Sequence, residues 1–145
     1  MHNSELKDRM ARAGIKTLIA DGKSVREPKE FAPYLKPPRL MDVLQMDIRT
    51  GGFLDNMEMA RMGEEVGTIS VPHNWGALIG LYMGLHLAKA VPSVVAAEDE
   101  RSTIHAEGYS FHDGHYRVSD APGLGLRVDE QTYQAKYRAQ QTVIE

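Results

Sequence analysis

A chain of 145 residues that is 42% hydrophobic and 26% charged, with a formal net charge of −3, has the composition of one soluble globular domain or part of a larger one. The mild acidity, with basic residues spread along the chain, gives no electrostatic footprint for nucleic acid or an anionic membrane, so neither is expected as a partner. The absence of cysteine excludes disulfides, thiolate nucleophiles and Cys-based metal sites, makes a cytoplasmic location the simplest expectation, and leaves only oxygen or imidazole to bind a metal.

Met1 to Lys7 is polar and carries no apolar h-region, and no apolar run reaches the ~18 residues of a membrane span. The first two thirds of the chain alternate helical segments with short apolar runs, the pattern of parallel βα units. Leu6 to Ala13 reads as the end of a helix closed by Gly14, and Ile15 to Ala20 as a strand opening into Asp21-Gly22-Lys23-Ser24, with Ser24 a candidate cap. Glu27 to Leu35 is a short helix stopped by Pro37-Pro38. Met41 to Met46 is the second strand, followed by Asp47 and a loop over Ile48 to Gly52. The amphipathic helix Leu54 to Val66 then turns Leu54, Met57, Met59 or Ala60, and Met62 inward, and Gly67 closes it. Thr68 to Val71 is the third strand, Gly76 to Ala90 the third helix, and Ser93 to Ala97 a fourth apolar run that ends at Glu98. Right-handed crossovers place these strands side by side in chain order, with the loops after them on one edge. In such sheets that edge carries the chemistry.

Downstream, Tyr109 to Phe111 and His115 to Val118 flank His112-Asp113-Gly114 as a hairpin, Pro122 to Gly125 is a tight turn before Leu126 to Val128, and Gln131 to Glu145 is a polar tail. Histidines 105, 112 and 115 show no spacing that fixes them on one side, and solvent-facing histidines account for them better than a metal does. Gly51-Gly52 could receive an anion at a helix start, and turn geometry explains it equally well.

Asp21, Asp47, His73 and Glu98 each stand at the carboxyl end of a predicted strand. Adjacent strands lie about 4.8 Å apart, so Asp47 on one end and His73 on the next can hydrogen-bond. A carboxylate that accepts from one ring nitrogen fixes the tautomer, stabilises the imidazolium and leaves the other nitrogen to take a proton, which makes a general base. The alternative is an Asp–His pair that only ties two loops together.

Five stretches carry a resemblance to a known family: ADG at Ala20 to Gly22, DVLQMDIRTGG at Asp42 to Gly52, VPHNW at Val71 to Trp75, PSVVAAE ending at Glu98, and DAPGLGLRVDE at Asp120 to Glu130. Over nearly its whole length the sequence resembles the enolase superfamily, in the mandelate racemase branch of acid-sugar dehydratases and racemases. The resemblance implies an α/β fold, the C-terminal half of a modified (β/α) TIM-type barrel. Residues 1–104 would form strands five to eight, and residues 105–145 a hairpin, turn and tail packing on the barrel. It implies a Mg²⁺-dependent enzyme that removes the proton α to a carboxylate, most plausibly a sugar-acid dehydratase. In it Asp47 and His73 match the family dyad, and Glu98 matches the acid that hydrogen-bonds the substrate. Trp75, Asn74 and Arg49 stand beside them as substrate-binding candidates, and a small-molecule sugar acid is the implied ligand.

Lys23 occupies the place of the family's third magnesium carboxylate, which leaves Asp21 as the nearest metal candidate. The family's first four strands and capping domain have no counterpart in the sequence, and its elements account for about half of the ~250 residues of an eight-fold barrel. The expectation is therefore a C-terminal part whose open edges seek a second copy, as a homo-oligomer, or a complementing N-terminal barrel half. A non-catalytic assembly module and a racemase or epimerase of a hydroxy acid are the alternative functions.

Overall fold

A computed structural model describes residues 3–75, 79–98, 107–127, 129–140 and 142. It divides into two compact units, Met1–Arg101 and Ser102–Glu145. The predicted boundary at 104/105, the start of the third helix at 76–78, His105, Val128 and the last three residues lie outside the described residues.

In the first unit, α1 (Asn3–Arg12) leads to β1 (Ala20–Asp21), α2 (Pro28–Leu35), β2 (Val43–Leu44), α3 (Ile48–Glu65), β3 (Ile69–Ser70) and α4 (Gly80–Ala90). The strands are parallel and adjacent in chain order, with Ala20 opposite Val43 and Val43 opposite Ile69. The fourth run joins through a single parallel bridge, Ser70 to Val94, where Ser70 N–H donates to the Ser93 carbonyl at 2.8 Å and Val95 N–H to the Ser70 carbonyl at 3.1 Å.

The strands are shorter than their apolar runs. Ile15 and Leu18 are exposed and the first ladder begins only at Ile19, whose carbonyl accepts from Asp42 and Val43. Among the described residues β1 pairs only with β2, so the residues before it find no partner on the other side. Asp42 makes the join firmer: it accepts from Lys7 of α1 at 2.7 Å and from the Ile19 N–H at 2.9 Å.

One face of the sheet is covered by α2, α3 and α4. Leu44 and Met46 are fully buried there with Phe31, Leu35, Ile48, Met59, Ala60, Leu87 and Val91. The opposite face, where Val43 pairs with Ile69, leaves Ile69 partly exposed. No helix among the described residues is long and apolar enough to cross a membrane.

Three local expectations change. Ser24 is not the cap of α2; Glu27 is, in a reciprocal capping box with Glu30, because Pro28 and the acidic N3 residue favour a start there. Ile48 to Gly51 is not a loop but the first turn of α3, capped by Asp47, and Gly52 at φ +75° kinks the helix before it resumes. Leu54 is 72% exposed rather than inward, since Asn56, Met59, Ala60 and Gly63 form the buried stripe of the resumed helix at spacings of three, four and seven.

In the second unit β4 (Ser110–His112) and β5 (His115–Arg117) pair antiparallel around Asp113 and Gly114, both at positive φ. The Phe111 and Tyr116 rings lie 4.8 Å apart, the Tyr109 hydroxyl donates to the Leu124 carbonyl, and α5 (Glu130–Lys136) follows.

Candidate active site

The parallel ladder carries past the named strands to the chemistry. Leu44 and Met46 carbonyls accept from Val71 and His73 N–H groups, and the register ends in a bridge between Asp47 and His73. At that end Asp47 Oδ2 lies 3.0 Å from His73 Nδ1. A carboxylate only accepts, so Nδ1 carries the ring proton and Nε2 is the basic nitrogen. On the Nε2 side, Glu98 Oε2 is 4.0 Å away. The imidazole thus stands between two carboxylates from neighbouring strand ends.

Each carboxylate is held by backbone. Asp47 accepts from the Arg49 N–H at 2.8 Å as the cap of α3, and Glu98 accepts from the Asn74 N–H at 2.5 Å. The Asn74 Nδ2 group donates to the Glu98 carbonyl at 3.3 Å, which fastens the end of the fourth run to the end of the third. Asp47 is nearly inaccessible. Burial pushes its carboxyl up, but hydrogen bonds from the Arg49 side chain and backbone and from His73 outweigh that and leave it below the usual carboxylate range.

Of the seven residues singled out in the sequence, Asp47, His73, Glu98, Asn74 and Arg49 come together. Arg49 faces Asp47, with Nε 3.3 Å from Oδ1 and Nη2 3.0 Å from Oδ2. Trp75 follows on the same loop and is 73% exposed. Asp21 stands at the end of β1, where its Oδ1 accepts from the Gly22 N–H at 2.7 Å.

Asn56 is a site residue the sequence did not reveal. It is fully buried in α3, and its Nδ2 donates to the Gly52 carbonyl at 2.8 Å and the Asp47 carbonyl at 3.3 Å. It thereby bridges the kink and steadies the residue that bears the carboxylate. Gly51 is fixed by space: a Cβ there would stand 2.9 Å from both the Arg26 carbonyl and Asn56 Nδ2. The only signal was one polar residue at core spacing on an otherwise apolar helix face.

Magnesium demands near-octahedral oxygen coordination, usually with more than one carboxylate. Among the described residues no group of three His, Asp or Glu side chains is placed to hold a metal, and Lys23 is exposed two residues beyond Asp21. The described residues by themselves therefore do not complete a magnesium site, Asp21 being the one candidate ligand among them, and no chemical step below passes through the metal.

A model of the enolase C-terminal domain-like family matches residues 2–132. The chain is 30% identical over 102 residues to an arabinonate dehydratase of Saccharolobus solfataricus, covering 66% of this chain and 27% of that protein. It is 23% identical over 124 residues to a D-gluconate/D-galactonate dehydratase of Picrophilus torridus, covering 80% and 31%. Among solved structures, a galacturonate dehydratase from Geobacillus sp. complexed with D-galacturonate and 5-keto-4-deoxy-D-galacturonate has a TM-score of 0.72 at 29% identity, covering 92% of this chain and 36% of that one. A mandelate racemase/muconate lactonizing protein from Geobacillus sp. Y412MC10, complexed with magnesium/tartrate, has a TM-score of 0.71 at 28% identity, covering 92% and 35%. The chain spans between 27% and 36% of the length of these four proteins.

Proposed function

Because the chain belongs to the enolase C-terminal domain-like family, we propose that it carries the proton-transfer part of a sugar-acid dehydratase, with His73 as the base. The observation that carries this reading is the line Asp47–His73–Glu98, 3.0 Å on one side of the ring and 4.0 Å on the other. The dehydratase names of the relatives support the reaction class.

His73 Nε2 removes the proton from the carbon α to the substrate's carboxylate, and the C–H electron pair passes into an enediolate. Asp47 stabilises the imidazolium through Nδ1 while the charge exists. The same imidazolium then returns its proton to the hydroxyl leaving the β carbon. The C–O bond breaks, water departs, and the resulting enol becomes a 2-keto-3-deoxy acid. One base suffices for this syn elimination, whereas a racemase needs a second on the opposite face. Glu98 and Asn74 border the Nε2 side, where they would meet the substrate's oxygens, and Trp75 would wall the pocket.

Magnesium belongs to this proposal for the complete enzyme, in line with the magnesium/tartrate complex of one neighbour. When bound it would supply positive charge to the enediolate, with Asp21 as a candidate ligand and the remaining ligands from outside the described residues. The side of β1 that no strand among the described residues covers is where a second copy or a complementing barrel half would add one.

Lys23, a cation where the family resemblance places a magnesium carboxylate, favours a second reading, a module that keeps the scaffold without catalysis. Turnover of a panel of aldonates and aldarates with Mg²⁺ by the assembled enzyme separates the two. Keto-deoxy product that disappears in His73→Asn supports the dehydratase; equal turnover by that variant refutes the role of His73, and no turnover of any member favours the module.

A further inference from the structure

Asp47 accepts more than a histidine partner requires. Oδ1 takes the Arg49 backbone N–H at 2.8 Å and its Nε–H at 3.3 Å, while Oδ2 takes the Arg49 Nη2–H and the His73 Nδ1–H, both at 3.0 Å. A guanidinium is planar, and its fork matches the two oxygens of a carboxylate. The guanidinium contacts both oxygens, adding a second hold on each beside the cap N–H on Oδ1 and the His73 Nδ1–H on Oδ2, and so opposes rotation of the carboxylate about its Cβ–Cγ bond. The Arg49 side chain is 38% exposed and that of Asp47 only 4%, so the positive charge sits where the buried carboxylate meets solvent.

We propose that Arg49 is a positioning residue of the proton-transfer site: its guanidinium keeps Asp47 ionised and turned toward His73, so that Nδ1 retains its proton and Nε2 stays bare. The inference rests on the reading of His73 as the base. It takes Arg49 out of the substrate-contact role that its position beside the dyad had suggested. The lowered position of the Asp47 carboxyl, with burial opposed by the Arg49 hydrogen bonds, agrees with it. Among the described residues, charged groups that face the pair include Arg49 from α3 and Glu98 beyond the Nε2 side of the ring.

The test follows the Asp47 carboxyl carbon and the His73 ring nitrogens by NMR in wild type, Arg49→Lys and Arg49→Gln, with circular dichroism confirming the fold of each. Arg49→Gln is expected to raise the Asp47 titration midpoint, since the side-chain hydrogen bond and charge that favour the carboxylate are removed. It should also move the neutral His73 ring away from the Nδ1–H tautomer. Arg49→Lys keeps the charge without the fork, so its midpoint stays nearer wild type while the tautomer still loosens. An Arg49→Gln protein with the wild-type midpoint or the wild-type tautomer overturns the proposal, as does Arg49→Lys titrating like Arg49→Gln. These readouts need no turnover. The predicted response in an enzyme that dehydrates no sugar acid would leave the role of Arg49 in the pair standing and remove the proposed function.

Discussion

Replacing Gly63 by alanine tests whether α3, which begins at the Asp47 cap, is pinned to β2 by close approach. An added Cβ would stand 2.5 Å from Leu44 Cδ1, 3.4 Å from the Thr68 carbonyl and 3.5 Å from Leu44 Cγ. Ordinary carbon contacts lie near ~3.8 Å, so the overlap with Cδ1 is over about 1 Å. Leu44 is fully buried, which leaves its end little room to swing aside. Overpacking of this kind costs about 1–3 kcal/mol. Alanine in a helix interior recovers up to about 1 kcal/mol relative to glycine, so with this severe overlap placing the cost at about 2–3 kcal/mol the net loss should be about 1–2 kcal/mol. Urea unfolding followed by circular dichroism reads it as a lowered midpoint with unchanged slope. Leu44→Ala alone should cost about 2–4 kcal/mol. In the double variant the new methyl enters the vacated space, so the combined loss should fall below the sum of the two by about 1 kcal/mol or more. An unchanged or raised midpoint in Gly63→Ala, or strict additivity in the double variant, would refute the close-approach argument.

Acid should weaken the fold through two carboxylates. Both Asp42 and Asp47 are more acidic folded than unfolded, Asp42 because the Lys7 and Ile19 hydrogen bonds outweigh its burial, so each stabilises the fold above the ordinary carboxylate value of about 3.9 and loses that contribution as pH falls through the folded value. The urea midpoint should hold from pH 7 to about 5 and then fall, less steeply in Asp47→Asn; a midpoint that rises toward acid contradicts the account. In the assembled enzyme, His73→Asn should lower kcat by about 10²–10⁴ or more with substrate affinity little changed, since the base acts in proton transfer rather than in binding. Equal losses in affinity and kcat, measured by equilibrium binding beside steady-state kinetics, would make it a binding residue instead.

The parallel order of the strands and the meeting of Asp47 with His73 were legible because both depend on short-range rules: apolar runs between helices, polar residues at run ends, and a fixed strand spacing. What the sequence concealed depends on backbone events that periodicity does not record. Leu54 is apolar at the start of its helix, but it lies about 140° round the helix from Met59, off the buried stripe of Asn56, Met59, Ala60 and Gly63. Ser24 matched the usual cap preference, but Pro28 and Glu30 made Glu27 the stronger start. Ile15 and Leu18 have strand composition yet pair with no strand among the described residues, and composition does not supply the neighbouring strand. The fold-back of Arg49 onto Asp47 was hidden for the same reason: it follows from the cap geometry of α3, and periodicity alone gives a loop at that helix start.

The most direct test of the central claim is a single-turnover measurement on the assembled enzyme with an α-deuterated sugar acid, with wild type and His73→Asn side by side. Wild type is expected to break the α C–D bond more slowly than C–H, by a normal primary isotope effect, and the variant to break neither. Equal rates for the two substrates in wild type, or cleavage by the variant at the wild-type rate, would contradict it.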